Sequence, residues 1–234
     1  NNYSILKKKL KLRGIKIITF GSRDVYFNNK FPFSLTVFHK KYKIKKLSLN
    51  NIQKENLECA VACAIAMNIK VNKIIRSLPH LKSAPGRYEE IKYTKKSSKI
   101  IIDYAHTPDA IAHVLKTYSN KKNKPSIVFG CGGERDKSKR KEMAIIVKKY
   151  ANKIYITDDN PRNENPDNIR KTLKKYCLNA IEIPNRLVAI KTAISQIDKN
   201  ETLIIAGKGH EKYQIIKNQK IKFDDYKVAK SFIK

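Results

Sequence analysis

Four polar clusters follow short runs of β-branched residues in the second half of the chain. They are residues 103–106 (DYAH), 130–135 (GCGGER), 158–162 (DDNPR) and 207–211 (GKGHE). Taken singly, each cluster is typical of a turn, because Gly, Asp, Asn and Pro are turn-forming residues. In an open parallel sheet, however, ligands bind at the carboxyl ends of the strands. Four clusters that each follow a strand therefore predict one shared binding site.

The cluster at residues 158–162 offers the clearest chemistry. Asp158 and Asp159 supply carboxylates that can hold an ammonium group. Arg162 supplies a planar guanidinium that can take a carboxylate through two parallel hydrogen bonds. The pattern predicts a pocket for a zwitterion, and the simpler alternative is an Asx turn that carries a solvated Arg.

The two glycine-rich clusters indicate anion binding. Residues 130–140 (GCGGERDKSKR) resemble a phosphate-binding loop, whose backbone N–H groups can surround an anion. The P-loop pattern itself, GxxxxGK followed by Ser or Thr, occurs nowhere in the chain. The cluster at 207–211 offers backbone donors and the carboxylate of Glu211, and it is not an HExxH zinc motif because position 214 is Gln.

The remaining candidates are explained better by packing than by chemistry. Cys59 and Cys63 share a helix face that is apolar, which favours packing over metal binding. Cys131 is interpreted as a small loop residue, and a catalytic thiol is the alternative. Three histidines have no neighbours in the sequence that suggest metal ligation, namely His39, His80 and His113.

Strands and helices must alternate to position the four clusters. Strand-like segments lie at 99–104, 125–130, 153–157, 180–183 and 201–207, and helical patterns follow the first four. This alternation predicts βαβ units and an α/β fold with a mostly parallel sheet. Thr107 and Asn165, each followed by Pro and Asp, predict two helix starts. A hairpin over 213–223 and a terminal helix complete the pattern.

The first 82 residues have a different pattern, in which short strands come before two helices. Strands are predicted at 14–21, 24–27 and 33–39, a buried helix at 55–69 and a shorter helix at 71–78. A linker is predicted where helix-breaking and turn-forming residues cluster, namely Pro79, Ser83, Pro85 and Gly86.

Composition excludes several classes of protein. Of 234 residues, 41% are hydrophobic, which is enough for a core, and the longest apolar run has nine residues, whereas a membrane span needs about 20. The first residues lack the apolar region of a secretory signal, and four Cys are too few for a disulfide scaffold, so we expect the reducing cytoplasm. The chain does not begin with Met, and we expect a fragment of a longer protein.

The net charge of +31 is the strongest argument for nucleic-acid binding. Only nine of the 51 basic residues are Arg, and the charge is spread along the chain instead of being clustered. We therefore interpret it as the composition of an AT-rich coding sequence. Two alternatives stay open: a basic nucleic-acid-binding protein and a stand-alone amino-acid-binding module.

The clusters occur in an order that resembles the Mur ligase family. The shared segments are PGR (85–87), DYAHTPDA (103–110), FGCGGERDKSKR (129–140), TDDNPR (157–162) and GKGHEKYQ (207–214). The resemblance is good over residues 50–234 and loose over 1–49. It implies that residues 1–83 are the last part of a central ATP-binding domain and residues 84–234 a Rossmann-like carboxyl-terminal domain.

The resemblance also implies a reaction. Among family members, the motifs resemble those that use ATP and Mg²⁺ to join meso-diaminopimelate to UDP-N-acetylmuramoyl-L-alanyl-D-glutamate through an acyl phosphate, in peptidoglycan synthesis. Such an enzyme serves cell wall biogenesis, cell shape and cell division in the cytoplasm. The family's P-loop, metal-binding Glu and His, and carbamylated Lys lie upstream, so we expect no catalytic residue and no activity in this piece alone.

Site residues follow from the resemblance one by one. Asn56 matches a contact to adenine, Arg87 a contact to the ATP phosphates, and Asp103 a contact to the ribose. The family usually has Asn at the position of Gln53, which is a departure on the adenine side. The expected diaminopimelate residues are Arg135, Asp159, Asn160, Pro161, Arg162, Gly207 and Glu211. Their charges match two ammonium and two carboxylate groups, and Arg162 is expected to distinguish diaminopimelate from lysine.

We predict that duplex DNA binds weakly and without sequence preference. Lysines that neutralise several phosphates release counterions, so affinity falls steeply with salt and is expected to be lost by about 200 mM. Fluorescence anisotropy with unrelated duplexes at several salt concentrations measures this. Sequence-specific binding that persists at that salt would contradict the interpretation of the charge as compositional.

Overall fold

The computed structural model describes residues 2–47, 49, 51–81, 83–120 and 123–233. The chain divides into two compact units, Asn1–Lys82 and Ser83–Lys234. In the described part, no helix has the length and apolar character that crossing a membrane requires. The predicted linker includes Lys82, which lies outside the described residues.

The first unit combines helices with a small antiparallel sheet. Its elements are α1 (Asn2–Leu12), β1 (Val25–Asn28), β2 (Ser34–Val37), β3 (Lys40–Lys43), α2 (Asn51–Ala66) and α3 (Val71–Ser77). The sheet order is β1-β2-β3, and Val25 lies opposite Val37. Apolar side chains of the sheet pack against Val61, Ala62 and Ile74 of the helices. The carboxylate of Glu58 is buried there and accepts a hydrogen bond from Phe27 N at 2.7 Å.

Two predictions for the first unit are wrong. Residues 14–21 form no strand. The N–H and the hydroxyl of Thr19 both donate to Asp24 Oδ2 at 2.7 Å. The Thr19 N–H is therefore not available for a hydrogen bond to a neighbouring strand. Helix α2 is not buried all round, because Cys63 is exposed and burial is confined to one face near Val61. Helix α1 and strand β3 were not predicted, since their Lys-rich sequences hide the apolar pattern.

The second unit is an α/β domain. It contains β4 (Glu89–Tyr93), β5 (Ser98–Asp103), α4 (Pro108–Tyr118), β6 (Ser126–Phe129), α5 (Ser138–Tyr150), β7 (Ile154–Ile156), α6 (Pro166–Tyr176), β8 (Ile181–Glu182), α7 (Arg186–Ser195), β9 (Thr202–Ala206), β10 (Tyr213–Ile216), β11 (Gln219–Lys222) and α8 (Asp225–Phe232). The six-stranded sheet has the order β4-β5-β9-β6-β7-β8. Only the β4–β5 pair of that sheet is antiparallel, so the predicted α/β class with a mostly parallel sheet is confirmed.

The sheet lies between two layers of helices. Alternate residues of β5 point to opposite faces: Ile101 packs in the core with α4, α5 and α6, while Ile100 and Ile102 pack in the core with α7 and α8. The predicted helix starts are confirmed, because Thr107 Oγ1 accepts from Ala110 N and Asn165 Oδ1 accepts from Asp167 N. The predicted hairpin is β10–β11. Strand β4 was missed because its sequence, EEIKY, is largely polar.

A buried ion pair joins the first turns of α7 and α8. Arg186 Nε and Nη2 donate to the two oxygens of Asp225 at 2.8 and 2.7 Å, and both side chains are fully buried. Arg186 Nη2 also donates to the carbonyl of Ala206, at the end of β9, at 3.0 Å. Burial alone would lower the pKa of this guanidinium, but the Asp225 carboxylate raises it, with smaller contributions from Asp159 and Glu211.

We predict that Asp225→Ala destabilises the second unit by about 3–5 kcal/mol, because it leaves the Arg186 charge buried without a counterion. Urea unfolding followed by circular dichroism measures the free energy. The control is Asp198→Ala, which breaks an exposed pair with Lys153 and is expected to cost about 1 kcal/mol or less. Equal losses in both variants would show that Asp225 does not compensate the Arg186 charge.

Candidate functional site

The four polar clusters lie at one edge of the sheet. Strands β5, β9, β6 and β7 are neighbours in that order, and all run parallel, so the loops after their carboxyl ends are adjacent. These loops and the β10–β11 hairpin border a cleft of about 490 Å³. The expected site residues that line it are Arg135, Asp159, Asn160, Arg162, Gly207 and Glu211.

Arg162 connects three segments of the cleft. Its Nη1 donates to the carbonyls of Gly133 at 3.0 Å and Asn160 at 3.3 Å. Its backbone N donates to Ile215 O at 3.1 Å, and its carbonyl accepts from Lys217 N at 2.7 Å, which ties it to the hairpin. Among the described residues, Nη2 and Nε have no partner. The edge formed by these two nitrogens is therefore the one that can take a carboxylate as a pair of hydrogen bonds.

Asp159 and Gly207 face each other across the cleft floor. The Asp159 side chain is largely buried, with its Oδ1 3.7 Å from the ammonium of Lys208. Gly207 has φ +112°, and a Cβ at this position would lie 2.6 Å from Asp159 Oδ2. Only glycine tolerates both this backbone conformation and the close approach of the Asp159 carboxylate. Gly207 therefore allows that carboxylate to lie close to the end of β9.

Asn160 organises the inner wall through its side-chain amide. Its Nδ2 donates to Glu211 Oε2 at 2.9 Å. Its Oδ1 accepts from Ile215 N at 2.9 Å and from Lys208 Nζ at 2.8 Å. The neighbouring Pro161 is buried and offers no polar group to the cleft. The wall thus joins the DDNPR loop, the GKGHE loop and β10 by hydrogen bonds.

A second buried pair joins the glycine-rich loop to the DDNPR loop. Arg140 of α5 donates from Nη1 and Nη2 to the two oxygens of Glu164 at 2.7 and 2.8 Å, and from Nη2 to Gly132 O at 3.2 Å. The Arg140 hydrogen bonds hold the pKa of Glu164 at about 2. The backbone amide of Gly133 also donates to Asn160 O at 2.9 Å. These contacts fix the rim on which the exposed Arg135 side chain lies.

Two acidic or nucleophilic candidates are unsuited to chemistry in the cleft. Burial raises the pKa of the Cys131 thiol to about 12, so it stays protonated, which disfavours the alternative of a catalytic thiol. Asp158 does not line the cleft: Arg170 pairs with it, with Asp167 and with Glu182. Across the described residues, no group of three or more His, Cys, Asp or Glu side chains could hold a metal ion.

The residues expected on the ATP side occupy separate places. In the first unit, Asn56 is exposed on α2, and Gln53 is half-buried one turn earlier. In the second unit, the Arg87 guanidinium lies 4.6 Å from the centre of the Tyr104 ring. Both oxygens of Asp103 accept backbone hydrogen bonds, from Ala105 N at 2.8 Å and Tyr88 N at 2.9 Å. Burial raises the pKa of Asp103, and these two donors oppose the rise.

The sequence analysis missed several residues that build the cleft. Arg140, Glu164 and Lys208 lie within or beside the motifs, but their types alone do not reveal that they are buried and paired. Lys139 and Lys220, which line the cleft, were missed because lysine is common throughout the chain. Lys208 stands between two glycines, and this was the one signal in the sequence that could have pointed to it.

The protein-family model described as "Mur ligase, glutamate ligase domain" matches residues 86–209, more than half of the chain. Two curated relatives are named UDP-N-acetylmuramoyl-L-alanyl-D-glutamate–2,6-diaminopimelate ligase. The one from Buchnera aphidicola subsp. Baizongia pistaciae is 35% identical over 247 residues, which cover 95% of this chain and 48% of the relative. The one from Rickettsia bellii is 42% identical over 196 residues, which cover 82% of this chain and 40% of the relative. The chain thus spans about half the length of the curated relatives it matches.

Solved structures agree on the fold. One, named as a structure of UDP-N-acetylmuramoyl-L-alanyl-D-glutamate–2,6-diaminopimelate ligase, has a TM-score of 0.61 at 32% identity and covers 97% of this chain and 50% of that chain. The E. coli FolC protein in complex with ADP has a TM-score of 0.65 at 17% identity, covering 87% of this chain and 48% of that chain. The FolC likeness supports the fold alone.

We predict that Glu164→Gln removes a pH-dependent part of the stability. Since the pKa of Glu164 is depressed from 4.5 to about 2, its charge stabilises the fold above pH 4.5, and this contribution is lost as pH falls through about 2. The variant is expected to be about 3 kcal/mol less stable at pH 7, with the gap closing by pH 2. Urea unfolding at several pH values measures it. The exposed Glu142→Gln on α5 is the control, and a gap that persists at pH 2 would contradict the ion pair.

Proposed function

This chain belongs to the Mur ligase family, and on that basis we propose that it is part of an ATP-dependent ligase that adds meso-diaminopimelate to UDP-N-acetylmuramoyl-L-alanyl-D-glutamate. We also propose that residues 1–83 are the last part of the central ATP-binding domain and that 84–234 are the carboxyl-terminal domain. The names of the two curated relatives include these two substrates, which supports the proposal. The reaction consumes ATP, and the proposed compartment is the cytoplasm.

The observation that carries the proposal is the charge pattern of the cleft. Arg135 and Arg162 provide two guanidiniums, and Asp159 and Glu211 provide two carboxylates, around one cavity. Meso-diaminopimelate has two carboxylates and two ammonium groups, so each end of the molecule is an amino-acid zwitterion. A cleft that presents carboxylates as well as guanidiniums can hold both kinds of charge on this ligand, and Lys139 and Lys220, which also line it, make its net charge positive.

Arg162 is the residue proposed to read the distal carboxylate. Lysine carries one carboxylate fewer than diaminopimelate. A second guanidinium can therefore bind a second carboxylate in diaminopimelate but finds none in lysine. The Nε–Nη2 edge of Arg162 matches a carboxylate in two parallel hydrogen bonds, which an ammonium does not reproduce.

In the proposed reaction this chain positions the amine. An amine that attacks an activated carboxyl reacts faster when its approach is fixed, and the loops around the cleft are held by hydrogen bonds that supply this order. The acids Asp159 and Glu211 bind the ammonium groups, and the guanidiniums orient the carboxylates. This chain thus contributes a fixed binding geometry and not a nucleophile.

ATP, when bound, supplies the phosphoryl group that activates the acceptor carboxyl. The exposed Arg87 fits a contact with phosphate, and Asn56 is exposed and free to meet a base edge. Asp103 fits a ribose less well, because both its oxygens already accept backbone hydrogen bonds. The described residues hold no group of three or more His, Cys, Asp or Glu side chains that could bind Mg²⁺, so we assign no Mg²⁺ ligand among them.

We predict that Arg162→Ala weakens the binding of meso-diaminopimelate to this chain at least about tenfold, since charge-assisted hydrogen bonds contribute about 1.5–3 kcal/mol each. Binding of L-lysine is expected to change less, and Arg162→Lys to recover part of the loss. Isothermal titration calorimetry with both amino acids gives the ratio of affinities.

The control for this experiment is Arg76→Ala, which removes an exposed guanidinium in the first unit. It is expected to leave both affinities unchanged. If Arg162→Ala lowers the affinities for diaminopimelate and lysine equally, Arg162 does not read the distal carboxylate, and diaminopimelate loses its support over lysine.

A further inference from the structure

Lys208 is a fully buried cation directly beneath the cleft. Its ammonium lies 2.8 Å from Asn160 Oδ1, 3.3 Å from Glu211 Oε2 and 3.7 Å from Asp159 Oδ1. All three oxygens belong to loops that line the cleft. A buried ammonium is unfavourable unless oxygens surround it, so the position of Lys208 and the positions of these three side chains depend on each other.

The backbone around Lys208 is shaped to turn this side chain inward. Gly207 lies on one side, held against Asp159 as described above, and Gly209 lies on the other with φ +50°. A Cβ on Gly209 would lie 2.6 Å from Gly86 O and 2.7 Å from Tyr104 Cβ. The turn closes with a hydrogen bond from Glu211 N to Lys208 O at 2.9 Å. The same turn therefore delivers both Lys208 and Glu211 to the cleft.

We propose that Lys208 is a positioning residue for the diamino acid: one buried ammonium holds one oxygen of Asp159 and one of Glu211, so that the two carboxylates are kept in place at the cleft and their remaining oxygens receive the ligand's ammonium. This inference rests on the proposed function. It assigns the recognition of the ligand's ammonium to an array of two acids and one cation rather than to the acids alone.

The reason for this role is electrostatic. Two carboxylates that share a site repel each other, and a cation in contact with both offsets that repulsion. Without Lys208, the repulsion and the loss of its contacts move Asp159 and Glu211 out of the arrangement that receives ammonium. Beneath the acids, the other charged pair is Arg186 with Asp225. The cations that line the cleft are Arg135, Lys139, Arg162 and Lys220, and His106 lines it as well.

The test compares Lys208→Met with Lys153→Met. Lys153 also contacts two carboxylates, at 2.7 Å from Asp198 Oδ2 and 3.9 Å from Glu201 Oε2, but it precedes β7, at the opposite end of the strands. Calorimetry at one pH measures the affinities for meso-diaminopimelate and L-lysine, which both carry two ammonium groups, and each variant is compared with the unchanged chain.

We expect Lys208→Met to bind both amino acids at least tenfold more weakly than the unchanged chain and to keep the ratio of the two affinities, because the acids and not Arg162 are displaced. Lys153→Met is expected to match the unchanged chain with both ligands. Lys208→Gln, which keeps a hydrogen-bond donor without the charge, is expected to bind as weakly as Lys208→Met. Circular dichroism melting confirms that each variant is folded.

Several outcomes overturn the proposal. Unaltered affinity in Lys208→Met, a loss confined to meso-diaminopimelate, or full affinity in Lys208→Gln shows that the cation does not hold the two acids for the ligand's ammonium. If neither Lys208 variant folds, Lys208 holds the fold and not the cleft. If the unchanged chain binds no meso-diaminopimelate while it is folded, the proposed function itself fails and this inference falls with it.

Discussion

Compensation of buried positive charge is the constraint on which the carboxyl edge of the sheet depends. Arg140, Arg170, Arg186 and Lys208 are all buried, and a buried cation needs its counterion in contact, because the interior does not screen its charge. Each of the four pairs with a carboxylate on another loop, strand or helix, and Arg170 and Lys208 also pair within their own helix or turn. The pairs therefore connect the loops after β6, β7 and β9 to helices α5, α6, α7 and α8.

This constraint separates two kinds of positive charge in the chain. With 51 basic and 20 acidic residues, most lysines have no acid to pair with and stay at the surface, where water and salt screen them. Each of the four buried cations has at least one acid in contact with it. The cleft consequently has an ordered, mixed set of charges in a protein whose overall charge is strongly positive. The local pattern, not the net charge, determines which ligand the cleft fits.

The sequence predicted the α/β class, the strands behind the four clusters, two capped helix starts and the last hairpin. These succeeded because runs such as Ile100–Ile102 and caps such as Thr107 act locally. The prediction of a strand at 14–21 was wrong because the carboxylate of Asp24 accepts the hydrogen bond of the Thr19 N–H. Propensity for β-structure does not include such a contact. The edge strand β4 was not predicted, because a strand that pairs on one side only needs few apolar residues. Its sequence therefore lacks the apolar pattern on which strand prediction depends. The domain assignment and the roles of the site residues stay predictions.

The geometry of Arg162 shows why residue type alone was insufficient at the site. Its type predicts a guanidinium that can take a carboxylate through two parallel hydrogen bonds, but it does not predict which edge is available. In the structure, Nη1 is committed to two carbonyls, and the residue itself has φ +53°, so the hairpin and the glycine-rich loop both constrain it. One edge remains, and its direction is set before a ligand arrives. A guanidinium fixed in this way recognises a carboxylate with little loss of side-chain entropy, which is the physical basis for selectivity between ligands that differ by one carboxylate.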